Sequence, residues 1–135
     1  MLLRMPPLGR SLALVVASLG LLACGEQGIQ LAQDDPNYEG ARIFSENCAG
    51  CHSLDYAGAQ GSSTSVGSRE YKDGPNFNQR REEASQVLYA IQNGGFSSGP
   101  MPQDIVVGEE AQQVAEFVAE YSGRKAQTVA TPSGN

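Results

Sequence analysis

Two cysteines and a histidine stand within five residues, in the run Cys48-Ala49-Gly50-Cys51-His52. Cys-x-x-Cys-His is the attachment pattern of c-type haem. The two thiols add to two vinyl groups of the porphyrin, and the adjacent imidazole then lies under the iron. His52 is the only histidine of the chain, and it stands where the ligand must be. The motif therefore predicts one covalently attached haem c held by Cys48, Cys51 and His52.

The same residue types are also found in zinc half-sites and in redox-active disulfides. Zinc would require a second pair of ligands, and the chain has no further pair of His or Cys residues to supply it. A thioredoxin-like Cys-x-x-Cys lies in a βαβ pattern. The surrounding sequence shows no such pattern, so haem attachment is the favoured interpretation.

The third cysteine, Cys24, follows Leu-Leu-Ala at the end of an apolar run over residues 11–22, which Arg4 and Arg10 precede. This order is typical of a secretory signal peptide. The run is well short of the roughly 20 residues that cross a bilayer as a helix.

Leu-Leu-Ala-Cys also resembles a bacterial lipobox. We therefore expect residues 1–23 to be a signal peptide and Cys24 to be a lipid anchor. An ordinary signal peptide with an incidental cysteine and an uncleaved anchor are the alternatives.

Charge and length limit the classes of function. Removal of residues 1–23 leaves 112 residues, enough for one small domain. The whole chain has a net charge of −6, and the signal peptide contains two arginines and no acid, so the mature charge is −8. This argues against nucleic-acid binding, which requires a basic surface. It permits electrostatic steering towards a basic partner, although a plain solvated acidic surface would have the same charge.

Three stretches have the apolar spacing of helices. The first begins at Asp35-Pro36, with an acidic N-cap and a proline in the first turn, and runs to about Asn47. The second spans about residues 82–92, where Asn-Gly-Gly ends it. The third spans about residues 109–121, with Gly123 as the expected C-cap. Their small or apolar positions are Gly40, Ile43 and Phe44, then Val87, Leu88 and Ile91, then Val114, Phe117, Val118 and Tyr121.

The remaining segments read as connections. Residues 24–35 are expected to be a linker with an extended reach of roughly 40 Å, residues 36–125 the folded domain, and residues 126–135 a disordered tail. Residues 53–73 are rich in Gly and Ser and predict a long surface loop, and residues 94–104 predict irregular chain. We expect no strand. Three short helices bury little apolar surface, so a porphyrin would fill much of the interior.

With these residues identified, the chain resembles the small class I cytochrome c family from about Tyr38 to Tyr121. Four blocks occur in the expected order, and a final helix follows them. The resemblance implies an all-α cytochrome c fold, with three to four short helices around a covalently bound haem. The blocks are Gly40-x-x-x-Phe44, Cys48-Ala49-Gly50-Cys51-His52, Gly74-Pro75-Asn76-Phe77 and Gly99-Pro100-Met101-Pro102.

The first block implies a helix crossing. Gly40 has no side chain, so a second helix can approach its backbone closely. By resemblance, the carboxy-terminal helix makes this crossing, and Phe44 packs against Phe117 or Tyr121. An unrelated glycine at this position would only weaken the helix, by about 1 kcal/mol.

The third block implies a contact to the haem ligand. In the family, the carbonyl equivalent to that of Pro75 holds the second nitrogen of the ligand imidazole, here His52, and such contacts orient metal ligands. An ordinary turn is the alternative for Gly74-Pro75. The stretch 53–73 is longer than in the most compact members. Four of its side chains are candidates for the haem propionates without being distinguished by the sequence: Tyr56, Arg69, Tyr71 and Lys72.

Met101 is the expected sixth ligand of the iron. A thioether is a soft ligand that suits low-spin haem, and His/Met ligation raises the reduction potential. The other two methionines lie in the predicted signal peptide, so Met101 is the only methionine of the mature chain. Pro100 and Pro102 restrict the backbone on both sides. The alternatives are Lys72, Lys125, water or an empty site.

These expectations combine into a membrane-tethered monohaem electron carrier rather than an enzyme. It would be exported and held by lipid at the outer face of the cytoplasmic membrane or in the periplasm. By resemblance, the electron donor would be a quinol-oxidising complex or a periplasmic dehydrogenase, and the acceptor a terminal oxidase or reductase. Two alternatives remain: a haem-based sensor or enzyme with an open sixth position, and a cytochrome subunit of a larger respiratory complex.

Overall fold

The computed structural model describes residues 28–96 and 99–126 of the chain. These ranges contain three α-helices: α1 (Tyr38–Asn47), α2 (Ala84–Asn93) and α3 (Gly108–Tyr121). Helix α3 packs against both α1 and α2. The prediction of a mostly helical fold with three to four short helices is confirmed. The predicted signal peptide, Cys24 and most of the predicted tail lie outside the described residues.

Helices α1 and α3 cross at Gly40. A Cβ atom at this position would lie 2.7 Å from Phe117 Cβ and in collision with the Gln113 carbonyl. Only glycine permits this separation of the two backbones. One turn further on, Phe44 meets Phe117 edge to face, with ring centroids 5.8 Å apart, and both side chains are buried. The crossing that the resemblance implied is present, and Phe117 is one of two rings that meet Phe44 edge to face, the other being Phe77.

The helix ends differ by a few residues from the predicted ends. Helix α1 begins at Tyr38, because Asp35 closes a turn ahead of it. The Asp35 carboxylate accepts a hydrogen bond from the Asn37 N–H at 2.8 Å, and its carbonyl accepts one from the Tyr38 N–H at 3.0 Å. Helix α2 ends at Gly94 in the left-handed region (φ 71°), as the Asn-Gly-Gly signal predicts. Helix α3 is capped by Ser122 rather than by Gly123.

The expectation of a strand-free surface loop over residues 53–73 is wrong for its first half. Strands β1 (Ser53–Leu54) and β2 (Ala59–Gln60) form a small antiparallel ribbon, with a 3₁₀ turn between them. Leu54 and Ala59 are fully buried. Beyond the ribbon, a Cβ at Gly61 would lie only 2.6 Å from Gly50 C, so this chain packs directly on the Cys-x-x-Cys turn. The sequence did not indicate this ribbon, because strands of two residues are too short to show an alternating pattern.

The predicted linker also overlaps the folded domain. Ile29 and Leu31 pack against the hydrophobic core. The Gln30 N–H donates to the Tyr56 carbonyl at 2.9 Å, and the Tyr121 hydroxyl donates to the Asp35 carboxylate at 2.9 Å. Residues before Pro36, from Ile29 onwards, therefore already contact the folded domain. Among the described helices, none is both long and apolar enough to cross a bilayer.

Candidate haem site

The imidazole of His52 is held on several sides by one short segment, residues 74–77. The side chain is 9% exposed. Its Nδ1 lies 3.1 Å from the Pro75 carbonyl oxygen, and its ring stacks on Phe77 with centroids 4.8 Å apart and an interplanar angle of 8°. A Cβ at Gly74 would lie 2.6 Å from Nδ1 and 2.8 Å from Nε2. The segment therefore sets both the position and the rotation of the ring.

Two backbone hydrogen bonds hold residues 74–77 beside the motif. The Gly74 N–H donates to the Cys51 carbonyl at 2.8 Å, and the Phe77 N–H donates to the Ser53 carbonyl at 2.9 Å. These bonds bracket His52 in sequence. They explain how residues more than twenty positions away along the chain reach the imidazole in a defined register.

The surroundings of His52 favour one protonation state. A carbonyl oxygen can only accept a hydrogen bond, so Nδ1 carries the proton and Nε2 of the neutral ring keeps its lone pair. Burial lowers the pKa of His52, against the opposing effects of the Pro75 hydrogen bond and the negative charge of Glu82. A neutral imidazole with a free Nε2 is the form that binds a metal.

The two thiols lie in a tight turn that continues α1. The Cys48 N–H bonds to the Phe44 carbonyl at 2.8 Å, and the His52 N–H bonds to the Cys48 carbonyl at 3.0 Å. Both Cys48 and Cys51 are partly buried free thiols. Burial, and to a lesser degree the charge of Cys51, raises the pKa of Cys48 to about 12, so this thiol is neutral. Within residues 28–96 and 99–126, no cluster of three or more His, Cys, Asp or Glu side chains is arranged to hold a metal ion.

Met101 lies on the loop that follows α2. Gly94 and Gly95 both have positive φ angles, 71° and 87°, which turn the chain back over the helix end. A Cβ at Gly95 would lie 3.8 Å from Met101 Sδ, and a Cβ at Gly94 would lie 2.9 Å from the Met101 carbonyl oxygen. The Asp104 N–H then bonds to the Ile91 carbonyl at 2.9 Å. The loop thus holds the partly buried thioether over the glycine pair.

The four candidates for propionate contacts have different surroundings. Tyr56 packs at a tilt against Tyr121, with centroids 4.6 Å apart, and its hydroxyl donates to the Lys125 carbonyl at 3.3 Å. Tyr71 is 80% exposed. Lys72 lies 3.5 Å from the Glu70 and Asp73 carboxylates, and the charge of Glu70 raises its pKa. The Lys72 ammonium thus pairs with its own neighbours on the loop. Arg69 is exposed on the same loop.

Sequence reasoning missed two residues that touch His52, namely Gly74 and Phe77. Both lie in the Gly-Pro-Asn-Phe block, where only Pro75 was assigned a role. The signal that could have identified them is local. The block combines a glycine and an aromatic residue within a stretch that is otherwise polar.

The chemistry of this donor set fits a c-type haem. Nε2 of His52 and the thioether of Met101 are ligand types that haem iron takes, and the two thiols suit covalent attachment. Several apolar side chains near the core remain only partly buried in the protein alone. They are surfaces that a porphyrin could cover: Val87, Leu88, Met101 and Ile105.

Comparison with known proteins agrees with this geometry. The family model described as Cytochrome c matches residues 38–122, which is more than half of the chain. The crystal structure of the c-type cytochrome SorU from Sinorhizobium meliloti is similar, with 33% sequence identity and a TM-score of 0.51. The match covers 65% of this chain and 92% of that chain. No significant match was found among curated proteins. The family match, the fold and the Cys-x-x-Cys-His turn together place the chain in the cytochrome c family, as an electron-transfer protein with covalently attached haem c.

Proposed function

We propose that this protein is a membrane-tethered monohaem cytochrome that carries single electrons in a respiratory or related chain. The observation that carries the proposal is the restraint of His52 by Pro75, Phe77 and Gly74. When bound, haem supplies a one-electron Fe(III)/Fe(II) couple. A ligand that is buried and held on several sides moves little between two charge states, which suits outer-sphere electron transfer.

The proposed roles of the site residues follow from their chemistry. Cys48 and Cys51 attach the porphyrin, and His52 binds the iron through Nε2. The Pro75 carbonyl keeps the proton on Nδ1 and orients the ring. Met101 is the sixth ligand, supported by its place over the glycine turn and by the absence of any other methionine after residue 23.

The proposed location rests on the amino terminus. Cys24 carries lipid after removal of residues 1–23 and anchors the domain at the outer face of the cytoplasmic membrane or in the periplasm. A quinol-oxidising complex or a periplasmic dehydrogenase donates electrons, and a terminal oxidase or reductase accepts them. The sequence pattern around Cys24 supports this location.

The absorption spectrum of the purified protein tests the site. We expect the oxidised protein to show the weak absorption band of Fe(III)–thioether ligation, which lies at the near-infrared edge of the visible spectrum. Met101→Ala should abolish this band. The reduced wild type should resist CO. Rapid CO binding by the wild type would favour the sensor or enzyme alternative. Stable co-purification with a respiratory complex would favour the subunit alternative.

Mass spectrometry and fractionation test the tether. Cys24→Ser should leave the spectrum unchanged but move the protein from the membrane to the soluble fraction, or block its maturation. An unmodified amino terminus at or beyond Cys24 in membrane-derived protein would overturn the lipid assignment without affecting the haem site.

A further inference from the structure

Positive charge is concentrated at one end of the domain, which we call the basic end and define as residues 80–83 and 120–125. It contains four of the seven Lys and Arg residues in the described chain but only three of its fourteen carboxylates. The two segments touch at Gly123, where a Cβ would lie 2.7 Å from Arg81 Cγ and 3.4 Å from the Arg80 carbonyl carbon. An otherwise acidic domain thus has one end where cations outnumber carboxylates. Its cations are Arg80, Arg81, Arg124 and Lys125.

The four cations of the basic end differ in their ionic partners. Arg80 pairs with Glu82, and Arg124 pairs with Glu120 at 2.9 Å. Within residues 28–96 and 99–126, neither Arg81 nor Lys125 forms an ion pair, and both are exposed. Because Glu83 also lacks an ion pair within these ranges, the basic end carries a net charge of +1, whereas the rest of the described chain carries −8.

The amino-terminal segment meets the domain beside the basic end. Tyr56 joins the two, because its carbonyl accepts from the Gln30 N–H at 2.9 Å and its hydroxyl donates to the Lys125 carbonyl at 3.3 Å. Its ring also packs on Tyr121, over which the Arg124 guanidinium lies 5.9 Å from the ring centroid. Gln30 and the basic end thus bond to the same residue, Gln30 to its backbone and Lys125 to its side chain.

The length of chain before this junction limits how far the basic end can be from a membrane. Gly28 follows Cys24 by four residues. An extended chain of four residues spans at most about 14 Å. A lipid on Cys24 would therefore hold Gly28 close to the headgroups. This is much shorter than the reach of roughly 40 Å expected for a twelve-residue linker.

We propose that the basic end faces the membrane and binds anionic phospholipid headgroups, so that the tethered domain has one preferred orientation. The proposal rests on the proposed lipid on Cys24. Lys and Arg near a membrane surface are attracted to anionic headgroups, and the acidic remainder of the surface is repelled by them. The short tether and the charge distribution therefore favour the same orientation.

The two lysines of the chain provide an internal test. Lys125 lies on the basic end, and Lys72 lies on the 61–73 loop, about fifty residues earlier in the chain. Lipidated holoprotein would be reconstituted on vesicles of phosphatidylcholine alone or with one quarter phosphatidylglycerol. Both samples would then be treated with an amine-reactive acetylating reagent. We expect the labelling rate of Lys125 to fall about threefold or more on the anionic vesicles, while that of Lys72 is unchanged.

Charge reversal provides the matched comparison. Arg81→Glu should restore the labelling of Lys125 on anionic vesicles. Arg69→Glu, the same charge change on an exposed loop, should not restore it. Equal labelling of Lys125 on both vesicles would overturn the proposal, as would protection that requires an added redox partner protein. Mass spectrometry of Cys24 in the same samples separates the cases. If Cys24 carries lipid but Lys125 is not protected, the orientation alone is refuted. If Cys24 carries no lipid, the tether is refuted as well.

Discussion

The two proposed iron ligands, His52 and Met101, are held in place in different ways. His52 is buried and held by the ring of Phe77, the carbonyl of Pro75 and the backbone of Gly74. Met101 is partly buried on a glycine-proline loop, where positive φ angles and a backbone bond to α2 set its position. Packing restrains the imidazole, whereas backbone conformation restrains the thioether. Changes around His52 should therefore damage the whole site, and changes around Met101 should loosen only that proposed ligand.

The largest effect is expected from Gly74→Ala. The new Cβ would lie 2.6 Å from Nδ1 of His52, so either the ring or the segment must move. Overpacking of this kind costs about 1–3 kcal/mol, and it would also break the Pro75 contact. We expect a sharp fall in the yield of holoprotein and a lower urea midpoint. Gly67→Ala, where no atom lies within 4 Å of the added Cβ, should behave like wild type. A wild-type yield for Gly74→Ala would show that the imidazole is not restrained by packing.

Gly94→Ala should have a smaller and more selective effect. Its φ of 71° costs a non-glycine residue about 1–2 kcal/mol, and its Cβ would lie 2.9 Å from the Met101 carbonyl oxygen. We expect normal haem attachment but a weaker Fe(III)–thioether band. Gly108→Ala is the control, because it has a similar φ of 60° and nothing within 4 Å. An equal loss of the band in both variants would mean that general destabilisation, not displacement of Met101, is the cause.

Tyr121→Phe tests a hydrogen bond that involves neither His52 nor Met101. Burial, followed by the hydrogen bond to Asp35, raises the pKa of Tyr121 to about 12. The folded state therefore favours the neutral phenol, and its contribution is complete below about pH 10 and is lost as the pH rises through about 12. We expect the variant to be about 1 kcal/mol less stable at pH 7, with a difference that shrinks above pH 10. Urea unfolding at several pH values measures it, with Tyr71→Phe as the exposed control. A difference independent of pH would contradict the assignment.

The smallest effect is expected in electron transfer to a soluble basic partner. The mature charge of −8 should steer such a partner, so the bimolecular rate should fall a few-fold as ionic strength rises. Stopped-flow kinetics measures the rate, and the interface should be small, below about 1,200 Å². A rate that is flat in salt, or rises with it, would instead indicate apolar docking. The stacked and exposed pair Tyr89 and Phe96, on α2 and the Met101 loop, is the surface to substitute in that case.

Local patterns were sufficient for much of this protein. The Cys-x-x-Cys-His motif predicts its own turn and cofactor, because its chemistry is complete within five residues. Helical periodicity located α1, α2 and α3 to within a few residues, and Asn-Gly-Gly predicted the end of α2. The crossing at Gly40 could be expected once the family resemblance was recognised. The assignments of Met101 and Cys24 remain predictions, since each depends on a partner that the chain alone does not contain.

Only the tertiary structure decided how the motif is surrounded. The ribbon of β1 and β2, the packing of Ile29 and Leu31, and the contacts of Gly74 and Phe77 with His52 all join segments that are distant in sequence or too short to have a period. The basic end arises in the same way, from residues about forty positions apart that meet at Gly123. Side-chain type and spacing therefore determine what chemistry is available here. Long-range packing determines how the imidazole is oriented, because the carbonyl, the ring and the glycine that restrain it lie more than twenty positions further along the chain.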